Sequence, residues 1–190
     1  HVIGAGTMGA DIAGWCVASG MEVSLQDISA DQIKKGIDAQ GKLLARKFRS
    51  KAERDAAKTR LLADPKGELV GRADVVIEAI VEKLDVKQSL FRKLEKEVKQ
   101  GAVLATNTSS LRLEDIAKPL ADPGRLVGLH FFNPVAQLPL VEVVRGEQTD
   151  DATLATAFAV GKALKKSCVL VKDAPAFVVN RLLTRFLGEV

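Results

Sequence analysis

The chain has 190 residues, a formal net charge of +4 and 47% apolar residues, which allows one large domain with a sizeable core, or one domain and a fragment. The small positive charge argues against a nucleic-acid partner and is compatible with an anionic ligand. No apolar stretch is long enough to span a bilayer, no signal peptide is evident, and the two cysteines lack the spacing of a metal site. We therefore predict no membrane partner and no metal.

The first nine residues contain the clearest functional motif. Val2 and Ile3 are typical of the end of a buried strand, and G-x-G-x-x-G follows them, with an apolar helix pattern after it. The first glycine allows a tight turn, the second lets the backbone approach a pyrophosphate, and the third lets helix and strand pack closely. The free N–H groups at the helix N-terminus then face the phosphates. We predict a dinucleotide-binding loop formed by Gly4, Ala5, Gly6, Thr7, Met8 and Gly9.

A second strand, predicted at residues 21–26, leads to Asp27, which lies 18 residues after Gly9. This is near the spacing expected for a carboxylate that binds a ribose 2′-hydroxyl. A 2′-phosphate would meet the negative charge of Asp27 with no adjacent arginine to offset it, so the residue favours NAD over NADP. The alternative is that Asp27 only begins the next helix and binds no ligand.

The rest of the chain alternates between strand and helix patterns, which predicts an α/β fold with a doubly wound Rossmann-type sheet. Strands are predicted at 73–81, 102–106, 125–129, 140–144 and 168–171. Helices are predicted at 30–49, at 50–63 after a capping box formed by Ser50 and Glu53, and at 85–99, 113–120, 150–165 and from 176 onward. The two helices between 30 and 63 form a helical hairpin insertion after the second strand.

The helical hairpin is strongly basic. Eight lysines and arginines lie between residues 42 and 60, against two acidic residues. Such a run of charge is usually a solvated surface. It is also the composition of a patch that binds a phosphate-rich ligand, and the sequence leaves both interpretations open.

Polar residues cluster where the predicted strands end, which is the usual ligand-binding edge of an open α/β sheet. His130 follows an apolar strand and is a candidate proton acceptor near neutral pH, or else a turn residue bonded to the backbone. Glu142 lies in an otherwise apolar strand, where a buried carboxylate needs a partner such as His130. Its alternative is to face water on an edge strand. Ser109 and Asn180 can donate hydrogen bonds to a substrate oxygen.

Six segments, in order, resemble the NAD-binding domain of the L-3-hydroxyacyl-CoA dehydrogenases. They are Gly-Ala-Gly-Thr-Met-Gly-Ala-Asp-Ile-Ala at 4–13, Glu-Ala-Ile-Val-Glu at 78–82, Asn-Thr-Ser-Ser-Leu at 107–111, His-Phe-Phe-Asn-Pro-Val at 130–135, Leu-Val-Glu-Val at 140–143 and Val-Asn-Arg-Leu-Leu at 179–183. The resemblance covers essentially the whole chain. It implies oxidation of (S)-3-hydroxyacyl-CoA to 3-oxoacyl-CoA by hydride transfer to NAD in fatty-acid β-oxidation.

The resemblance also implies roles for individual residues. His130 would be the general base and Glu142 its partner, while Ser109 and Asn180 would bind the reacting oxygen. The glycine loop would bind the cofactor, and the basic hairpin would lie near the CoA nucleotide. The remaining contacts implied are Asp27, Glu82, Lys87, Asn107, Ser109 and Asn133 for the cofactor, and Lys47 and Ser109 for the CoA substrate.

Domain organisation is also implied. Residues 1–175 would form the NAD-binding domain, and residues 176–190 would begin a helix that leads to an all-helical C-terminal domain. The parent protein would be a homodimer or part of a multifunctional complex, in the cytoplasm of a bacterium or the mitochondrial matrix or peroxisome of a eukaryote. Two other functions stay open: a reductase of small hydroxy acids or hydroxybutyryl-CoA, and a cofactor-binding module without catalysis.

Overall fold

The computed structural model describes residues 1–188, which contain an eight-stranded sheet. The strands are β1 (Val2–Ile3), β2 (Val23–Gln26), β3 (Leu61–Ala63), β4 (Val75–Glu78), β5 (Val103–Thr106), β6 (Leu126–Phe131), β7 (Leu140–Arg145) and β8 (Ser167–Lys172). Their order across the sheet is β3-β2-β1-β4-β5-β6-β7-β8. Strands β1 to β6 are parallel, β7 runs antiparallel to β6, and β8 is parallel to β7.

Helices cover both faces of this sheet. They are α1 (Thr7–Ala18), α2 (Ala30–Lys47), α3 (Lys51–Lys58), α4 (Leu84–Glu97), α5 (Leu113–Ala117), α6 (Asp151–Ala163) and α7 (Val179–Gly188). Neighbouring strand residues point to opposite faces, so Val2 packs with α1, α2 and α6, whereas Ile3 packs with α4 and α5. This arrangement confirms the predicted doubly wound Rossmann-type fold. Within residues 1–188, no helix has the length and apolar character needed to cross a membrane.

The helical hairpin after the second strand is confirmed, but its second helix is shorter than predicted. The capping box of Ser50 and Glu53 begins α3, which ends at Lys58. Residues 61–63, predicted as the end of that helix, form β3 and pair in parallel with β2. Three apolar residues are too few to distinguish a strand from a helix end by periodicity. The hairpin therefore forms the crossover between two neighbouring strands.

Two further elements differ from the sequence prediction in detail. β6 continues to Phe131, so His130 lies within the strand rather than after it. On α4, the apolar pattern places Val86 on the buried face, but Val86 is 37% exposed and Lys87 is buried instead. The physical reason is an ion pair, because the Lys87 ammonium binds the buried carboxylate of Glu78.

Most of the predicted site residues lie at one edge of the sheet. β1 lies between β2 and β4, where the winding of the sheet reverses, and the glycine loop leaves β1 at this point. The residues that follow β2, β4, β5 and β6 lie at the same edge, because these strands are parallel to β1. Because β7 is antiparallel to β6, its first residues also lie there.

Two glycines of α2 differ in their surroundings. A Cβ at Gly36 would lie 3.1 Å from the Ala10 Cβ and 3.3 Å from the carbonyl oxygen of Ala5. Helix α2 therefore packs directly on α1 and on the glycine loop at this position. A Cβ at Gly41 would meet nothing within 4 Å. Close packing thus accounts for Gly36 but not for Gly41.

We predict opposite effects of alanine at these two positions. Gly41→Ala should raise the free energy of unfolding by about 0.5–1 kcal/mol, because alanine loses less conformational freedom than glycine in a helix. Gly36→Ala should lower it by about 1 kcal/mol, because the added methyl group overpacks the contact with α1. Urea unfolding of both variants measures the difference. Equal effects at the two positions would contradict the close packing.

Candidate active site

The loop between β1 and α1 has the geometry of a diphosphate-binding loop. Gly4 has a φ of +102°, and a Cβ there would lie 2.4 Å from the carbonyl oxygen of Ala79. A Cβ at Gly9 would lie 1.7 Å from the carbonyl oxygen of Gly4, so helix and strand meet with no side chain between them. Gly6 is exposed, and a Cβ there would meet nothing within 4 Å. The open space before the α1 N-terminus fits the diphosphate of a dinucleotide.

Asp27 joins the glycine loop to the end of β2. Its Oδ2 accepts a hydrogen bond of 2.7 Å from the Ala5 N–H, and its Oδ1 accepts one of 2.9 Å from the Ser29 N–H. Asp27 is half-buried, and each carboxylate oxygen keeps a further lone pair for a ligand hydroxyl. The residue therefore shapes the glycine loop and stands where a ribose acceptor is expected. The sequence indicates only the second role.

His130 and Glu142 form a buried pair across two strands. The register of β6 and β7 sets the two residues directly opposite each other, and His130 Nδ1 lies 2.7 Å from Glu142 Oε2. His130 is 5% exposed and Glu142 is 1% exposed. The rings of Phe132 and Phe177 flank the imidazole at centroid distances of 4.6 and 5.5 Å. Glu142 thus faces the interior rather than water.

The second oxygen of Glu142 holds the start of α7. Its Oε1 accepts hydrogen bonds from the Val178 N–H at 3.1 Å and the Val179 N–H at 3.0 Å. The first N–H groups of a helix have no partner within the helix, so a carboxylate here satisfies them. Because α7 carries Asn180, one side chain connects two predicted catalytic elements. The sequence shows no sign of this contact, since 36 residues separate Glu142 from Val178.

A second buried ion pair lies at the end of β4. Lys87 Nζ lies 2.5 Å from Glu78 Oε1 and 3.3 Å from Glu82 Oε2. Glu78 also accepts hydrogen bonds from the Ile80 N–H and the Thr106 hydroxyl, and so links β4 to β5. The Lys87 side chain is 1% exposed, so its charge is committed to these two carboxylates. Sequence reasoning missed Glu78, whose position in an apolar strand was the available signal.

Glu82 binds the loop that follows β5. Its Oε1 accepts hydrogen bonds from the Ser109 N–H at 3.1 Å, the Ser110 N–H at 3.2 Å and the Ser110 hydroxyl at 3.0 Å. The Thr108 hydroxyl donates to the same oxygen. Partial burial raises the pKa of Glu82, but the hydrogen bonds from this loop and the charge of Lys87 outweigh it and hold the pKa below its usual value. Glu82 is therefore ionised at neutral pH.

The remaining predicted residues of the edge lie on three separate elements. Asn107 Oδ1 accepts a 2.8 Å hydrogen bond from the Phe131 N–H, which ties the end of β5 to β6. Asn133 is exposed just after β6. Ser109 and Asn180 are both half-buried, one on the loop after β5 and the other in the first turn of α7. Contacts to carboxylates hold both of these elements in place.

Lys47 lies outside this cluster, at the end of α2. Its Nζ lies 4.9 Å from the centroid of the Trp15 ring, and Lys166 Nζ lies 4.8 Å from the same centroid. The Trp15 indole donates a 2.9 Å hydrogen bond to the Leu164 carbonyl, which restrains the ring that both cations contact. Partial burial lowers the pKa of Lys166. The predicted CoA contact therefore has an aromatic partner within the protein.

Two carboxyl groups lie close together, that of Asp173 in the segment before α7 and that of Glu114 in α5. Asp173 Oδ2 accepts hydrogen bonds from the Leu113 N–H at 2.8 Å and the Glu114 N–H at 3.3 Å, at the start of α5. Partial burial and the hydrogen bond with the Glu114 side chain raise the pKa of Asp173 to about 6. This contact fastens the segment that leads into α7 to the helix beside it.

We predict that Lys87 stabilises the fold by neutralising Glu78. Lys87→Met should lower the free energy of unfolding by about 3–5 kcal/mol, because it leaves a buried carboxylate without its cation. The double variant Glu78→Gln with Lys87→Met no longer has that buried charge, so its free energy of unfolding should return most of the way to that of the unaltered chain. Denaturant unfolding of the single and double variants measures both effects. A double variant as unstable as Lys87→Met alone would refute the explanation.

Comparison with known proteins gives a consistent result. Residues 1–174 match the family described as 3-hydroxyacyl-CoA dehydrogenase, NAD binding domain. The fatty acid oxidation complex subunit alpha of Pseudomonas entomophila is 38% identical over 98% of this chain and 27% of that protein. The structure of (S)-3-hydroxybutyryl-CoA dehydrogenase PaaH1 from Ralstonia eutropha is 36% identical with a TM-score of 0.94, over 99% of this chain and 68% of that one.

A third relative is 3-hydroxybutyryl-CoA dehydrogenase from Escherichia coli, with 35% identity and a TM-score of 0.94 over 99% of this chain and 41% of that one. The chain spans little more than a quarter, 27%, of the length of the Pseudomonas relative. The family match, in contrast, covers nearly all of the chain, and the glycine loop and Asp27 fit a dinucleotide. The chain belongs to the family of 3-hydroxyacyl-CoA dehydrogenase NAD-binding domains, whose cofactor is NAD.

Proposed function

We propose that this chain is the NAD-binding and catalytic part of an enzyme that oxidises (S)-3-hydroxyacyl-CoA to 3-oxoacyl-CoA in fatty-acid oxidation. The observation that carries the proposal is the buried His130–Glu142 pair, at the sheet edge that also carries the glycine loop. A module that only binds a cofactor has no need of this pair. The names of the relatives support the same reaction, and two of them, both 3-hydroxybutyryl-CoA dehydrogenases, favour a short acyl chain.

His130 is the proposed general base. Because Nδ1 faces Glu142, Nε2 is the ring atom that takes the proton of the substrate hydroxyl. Glu142 holds the ring in this orientation and stabilises the imidazolium that forms. NAD, when bound, supplies the acceptor for the hydrogen and electron pair that leave the neighbouring carbon. The flanking rings of Phe132 and Phe177 keep water away from the pair.

Ser109 and Asn180 are proposed to bind the reacting oxygen, with Ser109 also reaching the cofactor and the CoA end of the substrate. Both residues are half-buried, so each has a surface for a ligand. For the cofactor, we propose that the glycine loop holds the diphosphate, Asp27 the ribose, and Asn107 and Asn133 the region of the nicotinamide. Glu82 and Lys87 are proposed to lie at the ribose and nicotinamide of the cofactor, and the Glu82 side chain, which is 35% exposed, has a surface for it.

We propose that α7 leads into a helical domain that completes the acyl-CoA cleft. Four apolar side chains of α7 are more than half exposed, namely Leu182, Leu183, Phe186 and Leu187. The Ralstonia relative is longer, since this chain spans 68% of it. Of the predicted segment 176–190, residues 189 and 190 lie outside the described residues. Because positioning of the reacting carbon needs both walls of the cleft, we expect the chain alone to bind NAD but to turn over slowly.

The test of the base is His130→Gln, made in the chain and in a chimera that joins residues 1–188 to the C-terminal region of the Ralstonia enzyme. Turnover of 3-hydroxybutyryl-CoA in the chimera should fall by about a hundredfold or more, because loss of a general base costs about 10²–10⁴-fold. NAD affinity, measured by calorimetry, should not change. His1→Gln is the matched control, since His1 contacts Ser24 and Gln26. Near-normal turnover in His130→Gln would refute the base role.

Asp27 predicts a preference between cofactors. We expect NAD to bind about ten- to a hundredfold more tightly than NADP, because a hydrogen bond to a charged group contributes about 1.5–3 kcal/mol and a 2′-phosphate would be repelled. Asp27→Ala should narrow the ratio of the two dissociation constants, and Asp31→Ala should not. The ratio is the readout because Asp27→Ala also removes the contact with Ala5. Equal affinities of the unaltered chain would show that Asp27 does not bind the ribose.

The basic hairpin is proposed to attract the CoA nucleotide by its charge. Lys47→Ala should raise the Michaelis constant for a CoA substrate, and the effect should shrink with salt, because exposed charges are screened within about 10 Å at 0.1 M ionic strength. Lys58→Ala, on the same hairpin, is the control, because Lys58 already pairs with Asp55. A pantetheine substrate without the nucleotide should not respond. If both substrates respond alike, the hairpin does not bind the nucleotide.

A further inference from the structure

We infer that Phe177 is a positioning residue for the His130 imidazole, and that a strained turn formed by Ala176 and Phe177 holds its ring in place. The ring then sets the plane of the imidazole and the direction of Nε2, which is a role beyond keeping water away. This inference rests on the proposed function of His130 as the general base. Its test therefore includes a measurement on the imidazole that needs no activity.

The hydrogen bond to Glu142 does not by itself fix the plane of the imidazole. Within residues 1–188, the hydrogen bond of this ring is the one between Nδ1 and Glu142 Oε2, at 2.7 Å. The torsion that turns a histidine ring about its Cβ–Cγ bond is broad, and a hydrogen bond tolerates a range of angles at its acceptor. Packing against the ring therefore decides its plane, and with it the direction of Nε2.

Phe177 is the more deeply buried of the two rings that pack on the imidazole. Its centroid lies 5.5 Å from that of the imidazole, with an interplanar angle of 58°. Leu113, Val144 and Val171 pack with Phe177 in one small buried cluster. Phe132, whose centroid lies 4.6 Å from the imidazole, is only half-buried, just after β6. Phe177 is thus the neighbour that core side chains hold in place.

The backbone that carries this ring has an unusual conformation. Ala176 has a φ of +61° and Phe177 has a φ of +47°. The left-handed region is unfavourable for residues with a Cβ, because this atom comes too close to the following carbonyl oxygen. Such residues keep this conformation only where the surrounding structure determines it, and they cluster at functional sites. Two of them in succession indicate that the position of the Phe177 ring is imposed by its contacts.

The same segment contacts both members of the buried pair. The Val178 N–H donates to Glu142 Oε1 at 3.1 Å, and the Val179 N–H donates to the same oxygen at 3.0 Å. The ring that directly precedes these two N–H groups lies on the imidazole. Residues 177–179 therefore hold the carboxylate by hydrogen bonds and the imidazole by packing. These two kinds of contact compensate for the strain of the turn.

The chain offers a matched control in Phe158. This ring lies on α6 and packs, partly buried, against the core on the face of the sheet that α1 and α2 also cover. His130 and Glu142 lie on the other face, toward α7. Phe158→Leu therefore removes an identical ring from the packing of the domain without changing a neighbour of the imidazole.

The kinetic experiment is a double-mutant cycle in the chimera with Phe177→Leu, His130→Gln and both together. Phe177→Leu should lower kcat by about ten- to a hundredfold, as expected when a reacting group is misplaced by about 1 Å, and should leave NAD affinity unchanged. Because the effect passes through the imidazole, the double variant should be no slower than His130→Gln alone. Losses that multiply in the double variant would overturn the inference. So would an equal loss of kcat in Phe158→Leu.

Substitutions of Ala176 test the turn and leave every ring in the chain. Ala176→Gly should raise the melting temperature by about 2–4 °C, because glycine adopts a positive φ without the steric cost. Ala176→Val should lower both the melting temperature and kcat, because a β-branched residue is the least compatible with a positive φ. A melting temperature of Ala176→Gly at or below that of the unaltered chain would show that the turn is not strained. An unchanged kcat in Ala176→Val would show that the turn does not hold the ring.

Crystal structures of the unaltered chain, Phe177→Leu and Phe158→Leu provide the measurement that needs no activity. In Phe177→Leu the imidazole should leave its plane or occupy two planes, and in Phe158→Leu it should keep the plane of the unaltered chain. An unchanged plane in Phe177→Leu would overturn the inference even if the variant is slow. Phe177→Met, which has no ring but a similar length, is the second variant if Phe177→Leu does not fold.

The two kinds of measurement separate this inference from the proposed function. An unaltered chimera that turns over no 3-hydroxyacyl-CoA would refute the proposed function. The plane of the imidazole in the crystal structures would still decide whether Phe177 positions His130. Normal turnover of the unaltered chimera together with an unchanged imidazole plane in Phe177→Leu would refute the positioning role alone.

Discussion

The antiparallel pairing of β7 with β6 is the constraint on which the proposed catalytic site depends. Val141 and Val143 pack in the core beneath α6 together with Leu129, so their burial fixes which residues of β7 face α6. A shift of one residue would turn Glu142 toward α6 and away from His130. In the observed register, His130 and Glu142 lie directly opposite each other on the other face, toward α7. The apolar residues of β7 therefore place the charged pair without touching it.

Acidic side chains fasten the loops of the site to the sheet. Asp27 accepts a hydrogen bond from the Ala5 N–H in the glycine loop. Glu82 accepts one from the loop after β5, and Glu142 accepts one at the start of α7. In each case a carboxylate accepts backbone N–H groups, which gives charge-assisted hydrogen bonds at positions that no regular ladder reaches. The proposed ligand contacts then lie on loops, while their positions are determined by rigid strands.

The sequence predicts the features of this fold that depend on local pattern. The glycine motif, Asp27, the alternation of strands and helices and the Ser50 capping box are all readable because the residues involved are close in sequence. The sequence does not predict the burial of Lys87, the strand at 61–63 or the second contact of Glu142, because each depends on a partner from a distant part of the sequence. Lys87 shows the reason most clearly: charge on an amphipathic helix predicts exposure, and only the buried Glu78 reverses it.

Glu142 couples the proposed base to the helix that carries Asn180. One oxygen faces the His130 imidazole, and the other accepts two N–H groups at the N-terminus of α7, where the helix dipole is positive. A buried carboxylate is costly unless its oxygens are paired, so Glu142 is stable in this position only while both partners are present. The orientation of His130 and the position of α7 are consequently set by the same group. In the proposed reaction, the substrate hydroxyl would lie between His130 and Asn180, whose arrangement comes from the fold, and such preorganisation lowers the entropy lost on reaching the transition state.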